Sequence, residues 1–197
     1  GRLPVLILLH MFGGTHGQWL PFIPELVGNG YAVLAFDLRG HGQSAYRNEE
    51  YSPRTLFEVE DFDRMPLDVA AALAWIGTRS EADANRIGLI GADIGAKIAF
   101  ISAGTLAGIK TTVSLSPSYR EGQEILLPEG IPGFQPRSVL FLAAFGDGYA
   151  FTSAEAMAQL TLAPALVKGY QGDDHGLSLL SEATIRAEIY RWLRENL

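Results

Sequence analysis

Residues 86–100, RIGLIGADIGAKIAF, decide the fold. The first six, RIGLIG, form a largely apolar run that reads as a strand buried on both faces. The run enters the pentapeptide GADIG, residues 91–95, and an apolar helical stretch follows at once. Small residues on both sides of one functional residue mark a sharp strand-to-helix turn. Such a turn crowds its own backbone, so its flanks must be small and the central side chain stands exposed. The central residue is Asp93. A GxxxG spacing alone carries little weight, because glycine also opens helices for packing reasons, so the surrounding order of elements matters.

Working outward, strands are read at residues 4–9, 31–36, 86–90, 111–115, 138–143 and 165–170. Helices are read at 19–27, 61–78, 94–103, 153–160 and 183–197. Trp19, Phe22, Ile23, Leu26 and Val27 share one face of the first, and Val69, Leu73 and Ile76 form the stripe of the second. Residues 116–136, with four prolines, read as loop. Alternating strand and helix predicts a mostly parallel sheet inside a three-layer α/β/α sandwich, with right-handed crossovers. In such a sheet the site lies beyond the carboxyl ends of the strands. The loops to examine are therefore 10–17, 37–44, 91–95, 145–150 and 171–176. No repeat or linker divides the chain, and residues 1–197 read as one domain.

Composition narrows the classes. The 197 residues are 48% hydrophobic and 19% charged, which excludes a disordered chain. Lys and Arg number 15 against 22 Asp and Glu, a net charge of −7, so neither nucleic acid nor an anionic membrane surface is an expected partner. There is no cysteine, which removes disulfides, thiolate catalysis and Cys-based metal sites. No apolar run approaches the ~20 residues of a membrane span, and no signal peptide is visible. The chain opens on Gly1 and runs straight into a strand, which suggests that leading residues are missing. The compartment stays open, either cytoplasmic or exported after signal removal.

Five motifs in order resemble the α/β-hydrolase family. GADIG is similar to its nucleophile elbow, where the central residue is usually Ser rather than Asp93. LILLHMFGGTHGQW, residues 6–19, resembles the oxyanion-hole segment, and FDLRGHGQS, residues 36–44, the next strand and turn. LFLAAFGDGYA, residues 140–150, resembles the acid-bearing strand with Asp147, and GDDHG, residues 172–176, the histidine loop with His175. Within the family the short, capless form is similar to dienelactone-hydrolase-like and carboxylesterase-like members. The resemblance implies a catalytic set of Asp93, Asp147 and His175, oxyanion donors on the Phe12 and Ile94 backbone with Met11 as the alternative to Phe12, and strand order 2-1-3-4-5-6. The family's usual pair of initial strands is expected to be absent or truncated, leaving a bare edge suited to a homo-oligomer. An apolar, aromatic rim of Phe12, Trp19, Tyr119 and Tyr149 is expected, suited to a small, mostly uncharged substrate. No metal or organic cofactor is expected, because triad chemistry needs none. Asp173, Asp174 and His175 could imitate a metal cluster, but adjacent aspartates on a loop point apart. His10 reads as an organiser of the oxyanion loop, His41 as part of a turn, His16 as solvated, and Asp37 as a brace of the turn.

Asp93 changes the chemistry. It has no hydroxyl proton to lose, and attack on an ester would form an anhydride. A carboxylate does better at saturated carbon bearing a halide or an epoxide oxygen. Dehalogenases and epoxide hydrolases of this fold use an elbow Asp in that way, but usually with Trp after it, where this chain has Ile94, and with a cap for which residues 116–137 are too short. Three readings stand: a hydrolase of small ester-type substrates, with Asp93 as nucleophile or general base; an Asp-nucleophile dehalogenase-like or epoxide-hydrolase-like enzyme; and a non-catalytic binding protein.

Overall fold

A computed structural model describes residues 1–119, 135–162 and 164–197. In chain order the elements are β1 (Leu3–Leu9), α1 (Ile23–Gly28), β2 (Ala32–Ala35), β3 (Tyr46–Arg47), β4 (Glu50–Tyr51), α2 (Val59–Asp63), α3 (Pro66–Ile76), β5 (Ala82–Ala92), α4 (Ile94–Thr105), β6 (Ile109–Leu115), β7 (Val139–Ala144), α5 (Gly148–Gln159), β8 (Ala165–Tyr170) and α6 (Ala183–Asn196). Six strands form one sheet in the order β2-β1-β5-β6-β7-β8, and every neighbouring pair is parallel. This is the mostly parallel α/β sandwich that the alternating pattern predicts and the strand order that the resemblance implies.

The continuous apolar strands follow from helices on both faces. Along β1, Val5, Ile7 and Leu9 point into a core closed by α3 and α4, through Val69, Ile76 and Ile98. Leu6 and Leu8 point the other way, onto Leu26 of α1 and Ile185, Ile189 and Leu193 of α6. A third cluster, Phe100, Phe141, Ala154 and Met157, seats α5. One polar cluster crosses the core fully paired: Thr111 Oγ1 accepts from Trp192 Nε1 at 2.7 Å and from Ser138 Oγ at 2.8 Å.

Strand β5 is longer than the 86–90 read from sequence, and three helix boundaries differ, each for a local reason. Residues 19–27 are not one helix: a 3₁₀ turn, His16–Trp19, precedes α1, whose Pro24 lies in the first turn, where a missing N–H costs nothing. The stretch 61–78 divides into α2 and α3, because Pro66 starts a new helix at its first position. The fifth helix opens at Gly148 rather than Ser153, because Asp147 caps it with a carboxylate facing the Ala150 N–H at 3.4 Å. The β3–β4 hairpin was not expected. Most of the loop read at 116–136 lies outside the described residues. Among the described residues, β2 pairs with β1 alone, and a groove of about 720 Å³ runs beside it, lined by Leu34, Phe36, Arg39, Asp68 and Trp75. Among the described residues, no helix is long and apolar enough to cross a membrane.

Candidate active site

Strand β5 ends in the elbow. Asp93 has φ 55° and ψ −118°, a conformation that costs an L-residue energy and is held by its surroundings. Its N–H donates to Leu115 O at 2.9 Å, which ties the elbow to the end of β6. The two flanking glycines are sterically required. A Cβ on Gly91 would lie 2.1 Å from Gly95 O, and one on Gly95 would lie 2.4 Å from Leu9 O. The start of α4 therefore rests directly on the backbone at the end of β1.

That contact brings the loop after β1 over Asp93. The Phe12 N–H donates to Asp93 Oδ2 at 2.9 Å. The Ile94 N–H also favours the ionised carboxyl, as its weakest lowering influence. Two residues shape this loop. Buried His10 accepts from Leu38 N–H through Nε2 at 3.0 Å, so its Nδ1 donates to Met11 O at 2.8 Å. Burial pushes the His10 pKa down to about 4, so the ring stays neutral. Asp37 Oδ1 accepts from both the backbone N–H and the Nδ1 of His16 at 2.7 Å, and Oδ2 accepts from Gln43 N–H at 2.8 Å. Asp37 thus clamps the oxyanion segment to the 37–44 turn, and His16 is held by it rather than merely solvated.

From β7 and from the loop after β8 come the other two members. His175 Nδ1 donates to Asp147 Oδ2 at 2.6 Å, and its Nε2 faces Asp93 Oδ1 at 3.8 Å, an ion-pair distance beyond hydrogen-bond length. The Asp93 carboxylate is the largest influence on the imidazole. With Asp147 it outweighs partial burial and raises the His175 pKa to about 9. Burial alone would raise the Asp93 pKa, but His175 and the N–H groups of Phe12 and Ile94 hold it below the ordinary value. The site at neutral pH is therefore one imidazolium between two carboxylates.

The structure brings Asp93, Asp147, His175, Phe12 and Ile94 together. Met11 is placed elsewhere in its loop: its N–H donates to Gln18 Oε1 at 3.1 Å. Trp19 does not line a rim. It is fully buried against Phe22 and Leu26 beneath the sheet, because it closes a 3₁₀ turn whose apolar side faces the core. Tyr119 is half-buried against the third core cluster. Phe12 and Tyr149 are exposed. The Phe12 ring stands edge-on to His41 at 6.0 Å, with the Arg54 guanidinium 4.9 Å from its centroid. Tyr149 hydroxyl lies 3.2 Å from Ser118 Oγ. Ser116 was missed: it is buried at the end of β6, and nothing in its sequence neighbourhood marks it.

A family model described as alpha/beta hydrolase fold matches residues 4–174. Epoxide hydrolase B of Mycobacterium tuberculosis is 31% identical over 100 residues, 51% of this chain and 24% of that protein. The chain thus spans about a quarter of the length of the curated relatives it matches. Among solved structures, dienelactone hydrolase from Anabaena variabilis superposes with a TM-score of 0.79 at 18% identity, covering 100% of this chain and 88% of that one. An esterase from Pyrococcus furiosus gives 0.76 at 18% identity, covering 99% and 82%.

Proposed function

The chain belongs to the alpha/beta hydrolase fold family, and from that premise we propose that it hydrolyses a small alkyl electrophile, an epoxide first and a halide second, with Asp93 as covalent nucleophile. One observation carries this: Asp93 Oδ2 already accepts the Phe12 N–H, while Oδ1 is left facing His175. An ester substrate would need that N–H for its own carbonyl oxygen. A carboxylate nucleophile needs it for Oδ2, which becomes the carbonyl oxygen of the covalent ester. The partial match to an epoxide hydrolase supports the same choice.

The proposed chemistry balances in two steps. Asp93 Oδ1 attacks an epoxide carbon, the C–O bond breaks, and the departing oxygen takes the proton from His175 Nε2. Alkylation neutralises Asp93 and removes the strongest force holding that proton on the imidazole. Neutral His175, steadied by Asp147, then draws a proton from water as the water attacks Asp93 Cγ. The oxyanion forms at Oδ2, on the Phe12 N–H. Collapse releases the diol, and the second proton of the water completes its new hydroxyl. Asp93 returns as the carboxylate and His175 as the cation. A halide needs no proton on leaving, so His175 must first lose its own to solvent.

The test is a single turnover of a terminal epoxide such as 1,2-epoxyhexane in heavy-oxygen water. The expected result is label in the Asp93 carboxyl and an unlabelled diol. Label in the diol with none in Asp93 would mean general-base attack by water and would overturn the proposal.

A further inference from the structure

We infer that Ser116 is a positioning residue that sets the gap between Asp93 and His175, a role that deepens the proposed function and rests on it only for its kinetic consequence. Three bonds meet at the junction of Leu115 and Ser116. Leu115 O accepts the Asp93 N–H at 2.9 Å, which fixes the elbow. The Ser116 N–H donates to Leu142 O at 2.8 Å on β7, the strand that leads to Asp147. Ser116 Oγ accepts the Gly176 N–H at 2.8 Å, and Gly176 directly follows His175. One peptide thus holds the segments that carry all three members of the site.

The backbone at Ser116 is unusual in a way that serves this geometry. Its φ is 47°, in the left-handed region where a non-glycine residue is uncommon. The residue is 1% exposed, so the conformation is enforced by packing and not by a free loop. A glycine would occupy this conformation at lower cost but would offer no hydroxyl. Serine is therefore kept where glycine is the easier residue, and the group it adds is the acceptor for Gly176. Gly176 has little room to move independently: its φ is 57°, and a Cβ there would lie 2.9 Å from the Met11 side chain. Without the Ser116 hydroxyl, the buried Gly176 N–H loses its partner and the histidine loop is free to relax away from Asp93.

The test uses the whole chain and three variants. Ser116→Ala keeps the backbone strain and removes the acceptor. Ser116→Gly removes both. Ser116→Cys keeps the shape with a weak acceptor. Two readouts need no turnover: exchange of the Gly176 amide hydrogen, and the His175 titration followed by NMR. In Ser116→Ala and Ser116→Gly, amide exchange should accelerate about tenfold or more, and the His175 pKa should fall by about one unit as the imidazole leaves Asp93. Ser116→Cys should fall between them and wild type. Faster exchange with an unchanged His175 titration would make the bond purely structural and overturn the assignment. Unchanged exchange would do the same, as would failure of all three variants to fold. If wild type turns over 1,2-epoxyhexane, kcat should drop about tenfold in Ser116→Gly with KM little changed. If wild type does not, the proposed reaction fails while the titration still decides the role of Ser116.

Discussion

Phe12 and Asp93 are 81 positions apart in the sequence, yet the backbone nitrogen of one lies 2.9 Å from a carboxylate oxygen of the other. On the proposed reading, the donor that would receive a substrate oxyanion is thereby already occupied by an oxygen of the nucleophile itself. Removing that oxygen should expose the donor. Asp93→Ser leaves His175, Asp147 and both N–H groups in place and supplies an attackable hydroxyl. Hydrolysis of p-nitrophenyl acetate should rise about 100-fold over wild type, the scale of one oxyanion donor, while epoxide turnover disappears. A stopped assay of both substrates on both proteins checks this, and an ester rate that does not rise would show that the donor is not freed.

His175→Gln should separate the two chemical steps for a halide. Halide loss needs no proton from His175, so 1-bromobutane should still alkylate Asp93 in the variant. Hydrolysis of that ester lacks its base and should slow about 10²–10⁴-fold. Intact-protein mass spectrometry should show an accumulating butyl adduct. A variant that remains unmodified, or that turns over as fast as wild type, would contradict the assignment.

The His175 titration also predicts how stability changes with pH. Its folded pKa, about 9, lies above the ordinary 6.5, so its contribution is fully present below about 6.5 and is lost as pH rises through about 9. The difference in Tm between wild type and His175→Gln should shrink across that window. A constant difference would mean that the proton is not held by the two carboxylates. In Asp93→Asn, which removes the largest raising influence, the NMR pKa of His175 should fall while the Asp147 bond remains.

Trp19 offers a contrast between packing and chemistry. It is fully buried, so Trp19→Ala should cost about 3–5 kcal/mol in urea unfolding. Trp19→Phe keeps most of the volume and should leave KM unchanged. A KM that rises severalfold in the folded Phe variant would restore Trp19 to the substrate rim.

The parallel sheet and its layers are legible because long apolar strands alternate with helical stretches, whereas the strand order comes only with the resemblance to the α/β-hydrolase family. Asp93, Asp147 and His175 are named together because GADIG, LFLAAFGDGYA and GDDHG resemble that family's motifs in order. What stayed hidden depends on local exceptions. Pro66 lies inside an apolar stripe whose period continues across it, so the break between α2 and α3 leaves the spacing intact. Trp19 has the same helical spacing as core and the same aromatic character as a rim, and only the 3₁₀ turn decides between them. Ser116 acts through a backbone conformation that no neighbouring residue type announces.

The backbone contact between Gly95 and the end of β1 fixes where position 93 stands. A Cβ on Gly95 would meet Leu9 O at 2.4 Å and His10 O at 2.6 Å, so helix and strand are spaced by main chain alone. No side chain at position 93 takes part in that spacing. On the proposed reading, the same frame would hold a hydroxyl or a carboxylate at one point, so that the electrophile attacked would change with one residue.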